Sequence, residues 1–220
     1  MTDYAELRRA MVDAQVRAND VTDLRIVAAM MDVPRERFVP AGRGDFAYID
    51  DDVLVSEGPP ARYLLEPMVL AKLLQAADVG PNDLVLDVGC ASGYSTAVLA
   101  HLAGQVVALE PDAALAAGAS ATLADLGLLN AAVVEGPLAD GWAAEAPYDV
   151  ILLNGAIEIA PEELFAQLKP EGRLLAVVGR GRAGRATLFT KTGGGVSPRI
   201  VFDAGVPVLP GFEARPAFVF

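Results

Sequence analysis

The stretch Leu84-Val85-Leu86-Asp87-Val88-Gly89-Cys90-Ala91-Ser92-Gly93-Tyr94-Ser95-Thr96-Ala97-Val98-Leu99-Ala100 is compatible with few folds. Its first residues form an almost continuous apolar run, the pattern of a strand buried on both faces in a helix-covered parallel sheet. Gly89 to Gly93 are small and predict a tight loop, after which a helical pattern begins. A strand that feeds a glycine loop and a helix start presents bare backbone N–H groups and a positive helix end to a ligand. Glu110 closes the next apolar run, and a carboxylate at the tip of a neighbouring strand can accept both hydroxyls of a ribose. Together these features predict a nucleoside-cofactor site.

The flanking sequence repeats the pattern. Strands are expected at 84–88, 105–109, 131–134, 148–153 and 173–178, with helices at 93–103, 112–126 and 161–168. Such alternation implies an α/β fold of the Rossmann-like, doubly wound kind with a mostly parallel sheet. The tail differs: 186–190 and 199–202 read as antiparallel C-terminal strands around Gly193-Gly194-Gly195, and Pro207, Pro210 and Pro216 punctuate the end.

Upstream, residues 3–31 form a helical N-terminal extension in two pieces. Leu7, Ala10, Met11 and Ala14 share one face of the first; Thr22 is the expected N-cap of the second, before Leu24, Ile26, Val27, Met30 and Met31. Residues 41–62 contain Gly42, Gly44, Asp50-Asp51-Asp52 and Gly58-Pro59-Pro60 and read as loops and short extended pieces. A helix from Glu66 to Ala77 and a turn over Gly80-Pro81-Asn82-Asp83 follow. Two segments result: 1–78, a helical and loop region covering the site, and 79–220, the cofactor-binding domain.

Composition narrows the function. With 53% hydrophobic and 21% charged residues, the 220-residue chain can build a substantial core. A net charge of −12 disfavours nucleic acid and anionic membrane surfaces as partners. No apolar run reaches the ~18 residues of a spanning helix. The acidic start, Met1-Thr2-Asp3-Tyr4-Ala5-Glu6, is unlike a signal peptide, and the single cysteine, Cys90, excludes an internal disulfide. A cytoplasmic, reducing location is the expectation. One histidine and one cysteine also make a His/Cys metal site unexpected.

The loop spacing selects among cofactors. A dinucleotide site usually shows G-x-G-x-x-G. Here the glycine positions are Gly89-x-Ala91-x-Gly93 after Asp87, with no Gly-Lys-Ser/Thr and no basic cluster for a pyrophosphate. D-x-G-x-A/G-x-G, with an acid 17 residues beyond Gly93 at Glu110, is the pattern of S-adenosylmethionine-dependent methyltransferases.

Longer segments carry a narrower resemblance. Met11-Val12-Asp13-Ala14-Gln15-Val16-Arg17, Val33-Pro34-Arg35-Glu36-Arg37-Phe38-Val39-Pro40, Ala47-Tyr48-Ile49-Asp50, Gly141-Trp142, Ala146-Pro147-Tyr148-Asp149, Gln167-Leu168-Lys169 and Gly172-Arg173-Leu174 occur in that order. In these the chain resembles the protein-L-isoaspartate O-methyltransferases. The resemblance implies methylation of isoaspartyl carboxylates in damaged proteins or peptides, which starts repair through a succinimide, with S-adenosylmethionine converted to S-adenosylhomocysteine. It implies Asp87, Gly89, Cys90, Ala91 and Gly93 at the methionine end of the cofactor, Glu110 and Pro111 at the ribose, and Gly136 and Pro137 by the adenine.

Departures from the family pattern concentrate on the acceptor side, where Leu65, Arg62 and Asn154 are the candidate residues. The family's Gly-Gln-Thr-Ile-Ser loop is Ala61-Arg62-Tyr63-Leu64-Leu65 here, so Leu65 replaces the serine. Arg62 reads either as a clamp for a carboxylate or as a solvated loop arginine. Glu66 would repel an anionic acceptor unless it pairs with Arg62 or caps the following helix. The family's Gly-Asp-Gly is Gly136-Pro137-Leu138, with Asp140 a nearby substitute, and its Thr-Ala-Ala is Asn154-Gly155-Ala156. Asn154 either faces the crevice at a strand end or caps a helix. Cys90 reads as a space-filler, His101 as a helix-end residue and Trp142 as a packing residue. The alternatives are methylation of another acceptor, such as a small-molecule carboxylate, or a non-catalytic S-adenosylmethionine-binding regulatory protein.

Overall fold

The protein is described by a computed structural model over residues 2–214, so Pro216 lies outside the described residues. Helix α1 (Tyr4–Met11) is capped by Asp3, whose carboxylate accepts from the N–H groups of Ala5 and Glu6. A π turn over Val12–Val16 and a 3₁₀ turn over Arg17–Asn19 follow. The wider turn shifts the helical phase. Met11, Val12 and Val16 are buried as a result, while Ala10 and Ala14 of the expected face are exposed. Helix α2 (Leu24–Asp32) is capped by Asp23, not Thr22: the Asp23 carboxylate accepts from Arg25 N–H at 2.9 Å. Gln75 Oε1 instead takes the N–H groups of Thr22 and Asp23, at 2.7 and 3.1 Å, tying this turn to a later helix. Leu24, expected inside, is 71% exposed.

Strands β1 (Val53–Ser56) and β2 (Arg62–Leu64) form a short antiparallel pair, and α3 (Pro67–Ala77) follows with proline in its first turn. From there strands and helices alternate: β3 (Leu84–Val88), α4 (Tyr94–Ala100), β4 (Gln105–Glu110), α5 (Ala113–Asp125), β5 (Ala131–Glu135), β6 (Tyr148–Ile157), α6 (Glu162–Ala166) and β7 (Leu168–Val178). Strands β8 (Arg185–Thr192) and β9 (Gly195–Asp203) complete a seven-stranded sheet of order β5-β4-β3-β6-β7-β8-β9. Strands β5, β4, β3, β6 and β7 are mutually parallel, whereas β8 pairs antiparallel with both β7 and β9. The expected α/β architecture is thus the observed one.

Strand β6 runs past the expected end at 153 because the chain after β9 returns to pair with it. Ala156 N–H donates to Pro207 C=O and Leu209 N–H to Ala156 C=O, both at 2.8 Å. Asn154 therefore lies inside a strand and caps no helix. Gly155 permits the close approach: a Cβ there would stand 2.7 Å from Leu209 Cγ and 2.9 Å from Pro207 O.

Helices cover both faces of the sheet. On one side Met11, Ile26, Met30 and Phe38 share a core with Leu70 and Leu74 of α3, Val98 of α4, and Val85, Val150 and Leu175 of the sheet. On the other, Leu86, Leu109, Ile151, Leu153 and Leu174 pack with Leu164 and Phe165 of α6. Among the described residues no helix is long and apolar enough to cross a membrane. Since Met30 is fully buried in the shared core, Met30→Ala is expected to cost about 2–4 kcal/mol in urea unfolding, within one cooperative transition.

Candidate active site

Strand order reverses between β3 and β6, which places a ligand crevice at their C-terminal ends. Asp87 sits there with no solvent exposure. Its Oδ2 accepts from Ser95 Oγ at 2.8 Å and Thr96 Oγ1 at 2.6 Å, and its Oδ1 accepts from Asn154 Nδ2. Burial pushes the Asp87 carboxyl up to about 6, against the pull of these three hydrogen bonds. Both oxygens thus face protein donors, so Asp87 shapes the loop from behind, and Asn154 is committed to it.

The loop is fastened to the neighbouring strand by Gly89 and Cys90 N–H groups donating to Leu109 C=O at 2.8 and 3.3 Å. Gly89 and Gly93 have φ of +76° and +95°. Ala91 also takes a left-handed conformation, φ +51°, which costs an L-residue about 1–2 kcal/mol. Its N–H is rewarded with a 2.8 Å hydrogen bond to Glu110 Oε2. Cys90 is buried, and that burial pushes its thiol well above the ordinary range, leaving an inert space-filler.

Glu110, at the tip of β4, is fully buried and faces four donors. Arg62 Nε lies 3.1 Å from Oε1 and Arg62 Nη2 2.9 Å from Oε2. The N–H groups of Ala91 and Asp112 supply the others, at 2.8 and 3.4 Å. Arg62 is only 4% exposed. It is therefore not a solvated loop arginine; its fork clamps the protein's own carboxylate. Glu66 neither pairs with Arg62 nor caps α3 through its side chain. Instead its N–H donates to Asp52 Oδ1 at 2.9 Å.

A cavity of about 210 Å³ opens beside Glu110, bounded by Gly58, Pro59, Pro60, Arg62, Pro111 and Asp112. A Cβ at Gly89 would meet Leu209 Cδ2 at 2.8 Å and Arg62 Nη2 at 2.9 Å. Both are far ends of flexible side chains, not backbone. A Cβ-free position at Gly89, an acid at a strand tip and an adjoining cavity are features a nucleoside with a ribose diol fits, and in this structure Arg62 occupies the acid.

The acceptor side is packed. Leu65 is 3% exposed and belongs to the main core. Its C=O accepts from Arg35 Nη2 at 2.8 Å, while Arg35 Nε donates to Ala47 C=O at 2.6 Å. The Arg35 guanidinium stacks 4.4 Å above the Tyr94 ring and has no solvent exposure. The N-terminal segment is thereby strapped to both the acceptor loop and the first turn of α4.

The remaining candidates fall around the crevice. Gly136 N–H donates to Glu110 C=O at 3.4 Å, placing the turn after β5 beside the tip of β4. Pro137 is exposed there, and Leu138 is buried, its Cδ1 3.4 Å from a Cβ built on Gly89. Asp140 is exposed, with its C=O accepting from Gln167 Nε2 at 2.7 Å. Trp142 packs at the edge of the second core cluster, and His101 is exposed at the end of α4. Sequence reading missed Ser95, Thr96, Arg35 and Leu209 as shaping residues. The Ser95-Thr96 hydroxyl pair in the first turn after the loop was a usable signal; Leu209 carries none locally.

Comparison with known proteins is consistent with this geometry. The profile of the family described as Protein-L-isoaspartate(D-aspartate) O-methyltransferase (PCMT) matches residues 6–204. A protein-L-isoaspartate O-methyltransferase of Methylorubrum extorquens (strain PA1) is 41% identical over 178 residues, covering 80% of this chain and 76% of the relative. That of Koribacter versatilis (strain Ellin345) is 39% identical over 179 residues, covering 81% and 79%. A solved protein-L-isoaspartate O-methyltransferase shares the fold with a TM-score of 0.82 at 23% identity, over 93% of this chain and 66% of that one. A Plasmodium falciparum structure described as such an enzyme, in complex with S-adenosyl-L-homocysteine, gives 0.77 at 19% identity, over 95% and 99%.

The acidic pair beside the acceptor loop has a pH signature. Burial raises Asp52 from 3.8 to about 6, the N–H of Glu66 pulling the other way, and burial with Asp52's proximity raises Glu66 from 4.5 to about 6. Each holds its proton more tightly in the folded state, so stability falls as pH rises from about 4 to 6 and the penalty is complete above that window. Asp52→Asn, which retains an acceptor for Glu66 N–H, is expected to gain about 1 kcal/mol at pH 7.5 and to flatten that slope in urea titrations.

Proposed function

The chain belongs to the protein-L-isoaspartate (D-aspartate) O-methyltransferase family, and from that premise we propose that it methylates the carboxylate of isoaspartyl residues in proteins or peptides, using S-adenosylmethionine. The observation that carries the reading is the Gly89–Gly93 loop with Glu110 beside it, set at the strand-order switch of a chain that matches the family over residues 6–204.

When bound, S-adenosylmethionine supplies an activated methyl group on a sulfonium sulfur. Glu110 would hold the ribose hydroxyls, with Pro111 and Asp112 lining the space beside it, and Gly89 and Ala91 would admit the methionine end. Gly136 and Pro137 would flank the base. An acceptor carboxylate with a pKa of about 4 is already ionised at neutral pH, so no residue needs to remove a proton. What the chain contributes is orientation and exclusion of water; in-line positioning alone is worth up to about 7–11 kcal/mol. Arg35 serves that end by fixing the Leu65 carbonyl against Tyr94.

Leu65 itself offers an anionic acceptor no donor, so a hydroxyl at that position would add one. The test is an incubation with S-adenosylmethionine labelled in the methyl group, an isoaspartyl peptide and its ordinary aspartyl counterpart. Base-labile methyl ester is expected on the isoaspartyl peptide alone; none above the no-enzyme control overturns the reading. In the same assay Leu65→Ser is expected to raise kcat/KM about 5–30-fold, the worth of one restored hydrogen bond. Thermal melts should show it less stable by about 2–4 kcal/mol, since Leu65 is a core side chain.

A further inference from the structure

The feature that the proposed reaction leaves unexplained is where Arg62 stands. Its guanidinium holds the two oxygens of Glu110, Nε on Oε1 and Nη2 on Oε2, in a pair shielded from water. A ribose diol bound by the same acid donates to the same two oxygens. The nearest atoms to the Cβ-free face of Gly89 include Arg62 Nη2 as well. Cofactor and guanidinium therefore compete for one position.

We propose that Arg62 is a displaceable occupant of the cofactor's ribose site, and that its release from Glu110 on cofactor entry turns it into the clamp for the acceptor carboxylate. Binding is then ordered, with cofactor first and acceptor second. This rests on the methyltransferase reading given above.

Three observations carry the exchange. First, Glu110 keeps its orientation without Arg62, because the N–H groups of Ala91 and Asp112 also hold it. Second, a displaced guanidinium loses its counter-charge, and an unpaired buried cation is strongly unfavourable, so it must reach water or another anion. Arg62 itself lines the cavity that would take the nucleoside, together with Gly58, Pro59, Pro60, Pro111 and Asp112, so an entering cofactor meets the guanidinium directly and turns it out of that space. Third, Arg62 lies on β2, three residues before Leu65, in the segment that corresponds to the family's acceptor loop. A forked guanidinium matches a carboxylate bidentately and supplies the donors that Leu65 lacks.

Isothermal titration of the full chain with S-adenosylhomocysteine, with and without saturating isoaspartyl peptide, tests the exchange. The peptide is expected to tighten S-adenosylhomocysteine binding at least ~10-fold in the unmodified chain, the reciprocal of cofactor-first order. Arg62→Gln keeps an amide near Glu110 but no charge. It is expected to bind S-adenosylhomocysteine at least ~10-fold tighter than the unmodified chain, with peptide changing its affinity less than ~3-fold. Equal or weaker binding by a folded Arg62→Gln, or equal tightening of both proteins by peptide, overturns the exchange while leaving the methyltransferase reading in place. Should the variant fail to fold, absence of peptide coupling in the unmodified chain overturns the exchange alone. Binding of S-adenosylhomocysteine by neither protein overturns both.

Discussion

A buried carboxylate must be surrounded by donors or it will not stay charged and buried, and Asp87 meets that demand with Ser95, Thr96 and Asn154. Those donors come from two places in the chain, the first turn of α4 and β6, and the acid itself stands near the end of β3. Satisfying one acid therefore fixes how the helix leaves the strand and how the two central strands meet. The loop from Gly89 to Gly93 is then fastened by Leu109 C=O and by Glu110, whose hydrogen bond from Ala91 N–H accompanies that residue's positive φ. The cradle is rigid because its back is polar, internal and fully paired.

That rigidity propagates to the rest of the crevice. Gly155 follows Asn154 directly, and its missing Cβ lets the segment after β9 pair with β6 and bring Leu209 over Gly89. On the other side, Arg35 fixes Leu65 and stacks on Tyr94, the first residue of α4. One helix start is thus gripped from below by Asp87 and from above by the N-terminal segment. Positioning of this kind is the main thing a methyl transfer to an ionised carboxylate requires.

The parallel strands and the loop were legible in the sequence because both signals are local: apolar runs mark doubly buried strands, and small residues mark close backbone approach. The antiparallel end of the sheet was legible for the same reason, from its glycine turn. What was not legible depends on contacts between distant residues. Met11 belongs to the face expected from a 3.6-residue period, but Val12 and Val16 could not be assigned to it, since a π turn alters the phase where they sit. Strand β6 outran its apolar stretch because its partner arrives from residues 207–209. Glu66, four residues from Arg62 in sequence, is the local candidate partner for it; the actual partner, Glu110, comes from the tip of another strand.

The departures at Arg62, Leu65 and Asn154-Gly155 look like separate losses in the sequence, yet in the fold each sits in a defined set of contacts around the Gly89–Gly93 loop or its neighbouring strands. Leu65 removes a hydroxyl donor, while Arg62, in the same loop, adds a charged one and parks it on Glu110. Asn154 and Gly155 preserve the acid's support and admit the returning segment. Asp87, Glu110, Arg62 and Asn154 each have a hydrogen-bond partner there, as buried polar groups require. The acid at the tip of β4, the feature of the sequence that points to a cofactor site, is in this fold the group that Arg62 occupies.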